Sequence, residues 1–312
     1  MSAERPLVSV VLSFRNEEEV LPELVERLQR ALDGAGVDHE LVFVNDASSD
    51  DSLAVLTKLH AGDGRIKVVN MSRRFGVAPC VLAGMHYARG DAVVYMDADL
   101  QDPPELLPEL IARWREGADV VYTVRTERRG ESRAKLWVTR AAYRAIQSVA
   151  EIDLPVEAGD FKLLSRRAVN HLLALPEKDL YVRGLVSWIG FRQVPVPYER
   201  QPRGAGRSHF PLLRSAGPAR AFLAGLTSFS HAPLVAFLAL GGAAGALSVA
   251  LLAAAALAGS ARLGWVAFGL LLWSTVVLGI GVMGVYLARV HRAVLHRPRY
   301  IVESTLGIDE VG

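Results

Sequence analysis

The 312-residue chain has one cysteine, Cys80, so it forms no internal disulfide and fits a reducing compartment. Its formal net charge is only +2, too small a surplus to imply nucleic acid as a partner. The start, Met1-Ser2-Ala3-Glu4-Arg5-Pro6, lacks a basic region followed by a long apolar core, so no signal peptide is expected. No Gly-rich phosphate fingerprint follows the first apolar run, which disfavours an NAD-type site. Repeats are absent, and the one biased tract is Ala-rich and apolar.

Charge is missing most conspicuously between Arg220 and Arg289, where Arg262 is the only Lys, Arg, Asp or Glu. Two apolar runs flank it, Leu234 to Ala258 and Leu263 to Leu287. Each is about 25 residues, enough to cross a bilayer as a helix. The short connector Gly259–Arg262 implies an antiparallel hairpin, so residues 231–288 are expected to be two transmembrane helices. Arg203, Arg207, Arg214 and Arg220 precede the runs, and Arg289, Arg292, Arg297 and Arg299 follow them. That bias puts both termini on the cytoplasmic side of a multi-pass cell-membrane protein. Residues 210–230 space apolar side chains on one face and read as amphipathic juxtamembrane helices, broken at Gly217-Pro218. Residues 289–312 read as a basic cytoplasmic tail.

Residues 1–209 alternate strand and helix signals. Strands are expected at Leu7–Leu12, Leu41–Val44, Ile66–Val69, Val93–Met96 and Val120–Val124. A periodic helix runs through Leu21, Leu24, Val25, Leu28 and Leu32, opened by a capping box of Asn16 and Glu19. Asp50 is expected to cap a second helix, and Val77–Tyr87 forms a third. The order argues an α/β domain with a mostly parallel sheet covered on both faces.

The chemistry concentrates at Asp97-Ala98-Asp99-Leu100-Gln101-Asp102-Pro103-Pro104. A buried strand ends there, and the prolines open a helix at the positions that tolerate a missing N–H. Ligands of open α/β sheets bind at that edge. Asp97 and Asp99 point the same way from an extended segment and can converge on one hard cation, Mg²⁺ or Mn²⁺, which completes its shell with substrate phosphates.

The pieces Val8-Ser9-Val10-Val11 with Asn16-Glu17-Glu18, Val42 to Ser48, Ser72-Arg73 with Phe75-Gly76, and Asp97 to Glu105 occur in order. Gly159-Asp160-Phe161, Arg183-Gly184 with Ser187-Trp188, Val196 to Arg200 and Tyr300 to Glu303 follow. With the C-terminal apolar runs, this set resembles the polyisoprenyl-phosphate glycosyltransferases of the GT2 type. These include bactoprenol glucosyltransferases and dolichol-phosphate mannose synthases. The resemblance implies a GT-A (Rossmann-like) catalytic domain that moves a hexose, by default glucose from UDP-glucose, onto polyprenyl (undecaprenyl) phosphate at the cytoplasmic membrane face. It implies Asp97, Asp99 and Gln101 at the metal, and Asp160 as catalytic base or as the partner of a sugar hydroxyl or a cation. Ser13, Arg15, Asn16, Glu17, Asn45, Asp46, Arg73 and Asp97 fall to the nucleoside-diphosphate sugar. The basic residues Arg125, Arg128, Arg203, Arg207 and His209 fall to the acceptor phosphate. The lipid bilayer is a further partner, and self-association is left open.

Three positions depart from the family pattern. Ser13 replaces a proline, Arg15 an aromatic that contacts the base, and Asn45 one member of an acidic pair. His209 also stands where a lysine is common. Two rival readings follow. A processive polysaccharide synthase shares the donor half, but it carries a Gln-x-x-Arg-Trp motif and more spans. A non-catalytic sugar-nucleotide-binding relic is opposed by Asp97, Asp99, Gln101 and Asp160 occurring together.

Overall fold

The computed structural model describes residues 5–127, 158–177, 181–199, 261–295 and 297–308, with scattered residues between 243 and 254. Eight strands form one mixed sheet in the order β7-β5-β6-β4-β1-β2-β3-β8. The strands are β1 (Leu7–Phe14), β2 (Asp38–Asn45), β3 (Ile66–Met71), β4 (Ala92–Asp97), β5 (Val120–Glu127), β6 (Ala158–Ser165), β7 (Gln193–Glu199) and β8 (Val302–Leu306). β3, β2, β1 and β4 are parallel neighbours, joined by crossover helices. β6 lies antiparallel between β4 and β5, and β8 antiparallel on β3. The expected parallel sheet is therefore parallel in its central half and mixed at its flanks.

The central strands are apolar almost without interruption because helices cover both faces. One core layer joins Val10, Leu12, Leu41, Phe43 and Val94 to α1 (Leu21–Gly34), α2 (Ser52–Gly62) and α4 (Leu107–Arg115). The other joins Val11, Val42, Val44 and Val93 to α3 (Val77–Tyr87), α5 (Arg166–Ala174) and α6 (Val182–Trp188). α3 lies close on the sheet because residue 84 is glycine; a Cβ there would sit 2.2 Å from Val11 Cγ1 and 3.0 Å from Val44 Cγ2.

Two local expectations are corrected. The capping box at Asn16 does not form: α1 starts at Leu21 behind Val20, which makes no side-chain cap bond. Asn16 instead adopts φ +57° and is tied to the β2–α2 loop, where its Oδ1 accepts from the Ser49 N–H at 2.8 Å. Asn tolerates that left-handed backbone and satisfies the neighbouring loop, so the side chain serves tertiary contact over capping. Asp50 does accept from the Ser52 N–H at 3.2 Å, but Asp51 occupies the position before α2.

The C-terminal segment, expected as a basic tail, returns to the sheet as β8 and pairs Val68↔Leu306, Val69↔Thr305 and Asn70↔Ser304. Apolar and β-branched Val302, Thr305 and Leu306 suit an edge strand, and β3 offers an unpaired edge.

α7 (Ala261–Val294) is the one helix among the described residues long and apolar enough to cross a membrane, with a 24-residue segment Gly264–Leu287 of mean hydropathy 2.2. Its large side chains face outward: Trp273 is 69% exposed, Ile280 65% and Leu287 69%. The other expected span, Leu234 to Ala258, lies largely outside the described residues, and the juxtamembrane helices of 210–230 wholly outside them.

Candidate active site

The C-terminal ends of the parallel strands collect the residues that the sequence singles out. In the ladder Ser13 stands opposite Asp97 on one side and Val44 on the other, and Phe14 stands opposite Asn45. The chain leaves this edge through three non-glycine residues with left-handed backbone, Asn16 at φ +57°, which tolerates it, and the strained Ala47 at +53° and Leu100 at +56°. Left-handed backbone costs an L residue about 1–2 kcal/mol each, so its concentration at one edge marks loops held by their surroundings.

Those surroundings are polar and mutual. The Asn16 N–H donates to Ser48 Oγ at 3.1 Å and the Glu17 N–H to Ser52 Oγ at 3.0 Å. Arg15 Nη1 donates to the Asp46 carbonyl at 3.3 Å. Asn45 Oδ1 accepts from the Ser48 N–H at 2.9 Å, and Asn45 Nδ2 donates to Asn70 Oδ1 at 3.1 Å. The buried Asp46 carboxylate accepts from the Phe75 N–H at 2.6 Å and the Gly76 N–H at 3.1 Å. It thus anchors the loop that opens α3. Arg73, on that loop, is exposed and stacks its guanidinium over Phe75 at 4.0 Å.

Asp97 ends β4, and Asp99 follows in the loop, where its Oδ1 accepts from the Gln101 N–H at 3.1 Å. The loop is pinned from below by buried Asp102, whose Oδ1 accepts the Tyr198 hydroxyl of β7. Two carboxylates and one amide carbonyl are hard oxygen donors. They fit a Mg²⁺ or Mn²⁺ that keeps positions open for phosphate oxygens. Among the described residues no cluster of three or more His, Cys, Asp or Glu could hold such an ion alone.

Asp160 reaches the same place from β6. The antiparallel ladder ends at Tyr95 and Lys162, and the same register carried two residues further brings Asp97 and Asp160 to one side of the sheet edge, where both line one cavity. Gly159 lets β6 lie close on β5, since a Cβ there would meet Thr123 Oγ1 at 2.9 Å. Asp160 forms a two-point ion pair with Arg183 of α6: Nε donates to Oδ1 at 2.5 Å, and Nη2 to Oδ2. A cavity of about 180 Å³ opens beside the pair, lined by Tyr95, Asp97, Asp160, Tyr181 and Arg183, with Val77 and Val81 of α3 opposite.

Two further groups were not singled out from the sequence. Tyr95 is buried, and among the described residues its hydroxyl has no hydrogen-bond partner. Burial raises its pKa well above the ordinary phenol value, and the negative charges of Asp160 and Asp97 add to the shift. Lys162 is 2% exposed; burial and then the Arg183 charge push its pKa down to about 8, against the pull of Asp160. Arg183 was visible only as part of an Arg-Gly pair. No periodicity in a single sequence ties it to Asp160.

Of the acceptor candidates, Arg125 lies on β5 opposite Tyr198. Arg128, Arg203, Arg207 and His209 lie outside the described residues.

A family model for glycosyl transferase family 2 matches residues 9–173. An uncharacterized glycosyltransferase of Bacillus subtilis, YkcC, is 43% identical over 226 residues, covering 72% of this chain and 69% of that protein. A bactoprenol glucosyl transferase of Shigella phage SfV is 35% identical over 227 residues, 73% of each chain. Among solved structures, glucosyl-3-phosphoglycerate synthase from Mycobacterium tuberculosis, in complex with Mn²⁺, UDP-glucose and phosphoglyceric acid, aligns with a TM-score of 0.48 at 22% identity, covering 72% of this chain and 80% of that one.

Proposed function

Because the chain belongs to glycosyl transferase family 2, we propose that it transfers a hexose from a nucleoside-diphosphate sugar, UDP-glucose first, to polyprenyl phosphate at a membrane surface. The observation that carries this reading is the meeting of Asp97, Asp160 and Arg183 on one cavity at the ligand-binding edge of the sheet. The bactoprenol relative supports the acceptor class. The exposed apolar α7 supports a membrane setting, since such a surface is stable in lipid and not in water.

In this reading the nucleotide lies along the ends of β1 and β2. Ser13, Asn16, Glu17 and Asn45 border it, and Arg15 offers a guanidinium face to the base. Asp46 acts through the loop that it anchors, which presents Arg73. Asp97, Asp99 and Gln101 would hold a divalent cation, which, when bound, neutralises charge on the departing diphosphate. The acceptor oxygen attacks the anomeric carbon from the face opposite the leaving group, inverting it.

Asp160 carries the acceptor side. A phosphate monoester has a second pKa near ~6, so at neutral pH it is largely dianionic and needs little help to lose a proton. Orientation is then the larger part of what Asp160 supplies, through a sugar hydroxyl or through Arg183. Arg125, Arg128, Arg203, Arg207 and His209 are the basic side chains available along the sequence for the acceptor phosphate, and Arg suits two-point phosphate contacts.

The test is a donor panel of UDP-glucose, UDP-GlcNAc and GDP-mannose, with undecaprenyl phosphate and Mg²⁺ or Mn²⁺, scored by the mass of the lipid-linked product. A hexose-phosphate-lipid product that requires the divalent ion is expected. No lipid-linked product from any donor would overturn the reading.

A further inference from the structure

Both oxygens of Asp160 are taken by Arg183, so the carboxylate that faces the cavity is neutralised in the present arrangement. The pair is not sealed: the Asp160 side chain keeps 35% of its exposure and that of Arg183 keeps 31%. About a third of each side chain is open to solvent, so an anion entering the cavity reaches the guanidinium without unpacking the core. On the same cavity the Tyr95 hydroxyl is buried with no hydrogen-bond partner among the described residues, within electrostatic reach of Asp160, Arg183 and Asp97. Buried polar groups in native structures are almost always satisfied. A hydroxyl without a partner beside the ion pair offers a bond to a rearranged network.

We propose that Arg183 exchanges partners during the reaction: it leaves Asp160, binds the phosphate of the acceptor in two-point fashion and thereby frees Asp160 to face the substrate. The guanidinium geometry supports this exchange, because the fork that now holds two carboxylate oxygens matches two phosphate oxygens equally well. A dianionic phosphate is the stronger partner, so the exchange runs toward it only when acceptor is present. Tyr95 gains a partner in the opened state, either the released carboxylate or a substrate oxygen. Donor alone leaves the latch shut, which protects the sugar from attack by water. The inference rests on the acceptor class proposed above and adds to it a named contact and a substrate-dependent release of Asp160.

Binding isotherms for undecaprenyl phosphate in neutral-lipid nanodiscs, with undecaprenol as control, test the exchange in the full-length protein. Arg183→Gln should weaken undecaprenyl phosphate binding about tenfold or more, while Mn²⁺-dependent UDP affinity stays within about twofold. Arg183→Lys should recover part of the loss. Asp160→Asn removes one anion that competes for the guanidinium and should tighten undecaprenyl phosphate binding by about threefold or more, because the two-point carboxylate contact no longer has to be given up. A purely structural pair would move neither constant in this opposite sense. Undecaprenyl phosphate affinity unchanged in Arg183→Gln, or weakened in Asp160→Asn, overturns the exchange. Wild-type protein that binds undecaprenyl phosphate no better than undecaprenol overturns both the exchange and the acceptor reading. Wild-type protein that binds it but transfers no sugar overturns the reaction proposed, and Arg183→Gln and Asp160→Asn still decide the exchange.

Discussion

Asn70 Nδ2 donates a 3.0 Å hydrogen bond to Ser304 Oγ, joining residues 234 positions apart. Asn70 Oδ1 in turn accepts from Asn45, whose own Oδ1 receives the Ser48 N–H. A continuous polar chain thus runs from the strand that returns after the apolar helix to the loop at the proposed nucleotide edge.

Deleting residues 297–312 removes β8 and this chain while leaving α7 in place. The exposed β3 edge then loses its ladder and becomes a template for association. A fall in melting temperature of about 5 °C or more is expected, from the loss of roughly 2 kcal/mol. Ser304→Ala alone removes one exposed hydrogen bond, worth about 1 kcal/mol or less, and should shift it only slightly. Thermal unfolding in detergent measures both. An unchanged melting temperature in the deletion would show that β8 adds nothing to the sheet.

Asp99→Asn should weaken Mn²⁺-dependent UDP binding at least as much as loss of an outer partner of a metal ligand does, roughly 10- to 100-fold. The motive is its position two residues beyond the end of β4, turned by the strained Leu100. Titration calorimetry of UDP with and without Mn²⁺ gives the difference directly. If the Mn²⁺-dependent part of the affinity survives in the variant, Asp99 is not a metal ligand.

Lys162 holds a cost that can be released. Its pKa is pushed from 10.5 down to about 8, so the folded protein binds this proton less tightly than the unfolded chain does. Below about pH 8 the lysine is charged in both states and the full burial cost is present. Between pH 8 and 10.5 stability rises as the folded form sheds its proton first. Lys162→Met should therefore stabilise the fold at pH 7 by about 3 kcal/mol, with the gain shrinking toward pH 10. Urea unfolding at several pH values checks both sign and window; a variant less stable than wild type at pH 7 contradicts the assignment.

At the far end of the strands Glu40 is buried, 4% exposed, and accepts from Lys67 Nζ, Ser9 Oγ (each at 2.5 Å) and the Arg89 N–H (2.6 Å). Burial alone would raise its pKa, but these three donors hold it below the ordinary glutamate value. Its contribution to stability is present above about pH 4.3 and is lost as pH falls through the lowered value in the folded state. Lys67→Met strands the carboxylate and should destabilise the domain by about 3 kcal/mol at pH 7. The deficit should narrow below about pH 4, where a protonated Glu40 is buried at less cost. Denaturant melts at pH 7 and pH 4 test the pair; equal deficits at both would place the loss in packing.

Much of this architecture is legible in sequence because it is written locally. The Val77–Tyr87 helix has its expected bounds, since Gly76 at φ +95° ends the loop before it and Ala88 turns extended after it. Leu41–Val44 and Val93–Met96 declare themselves as strands because burial on both faces demands unbroken apolar runs. The Asp97–Asp99 loop is legible because strand end, carboxylates and prolines are contiguous. Asn16 is not, because a polar side chain can serve either its own helix or a neighbouring loop, and only the packed structure decides between them.

By itself the sequence determined which segments must be buried, where the acidic loop falls and that a long apolar stretch follows, since each depends on the side chains within a few turns of chain. Tertiary structure alone decided that β8 closes the edge of β3, that Tyr198 pins Asp102 and that Arg183 holds Asp160. The physical reason is that charge pairing and edge pairing depend on distances between points far apart in the chain. Those distances come into being only when the hydrophobic layers on the two faces of the sheet have brought the strands together.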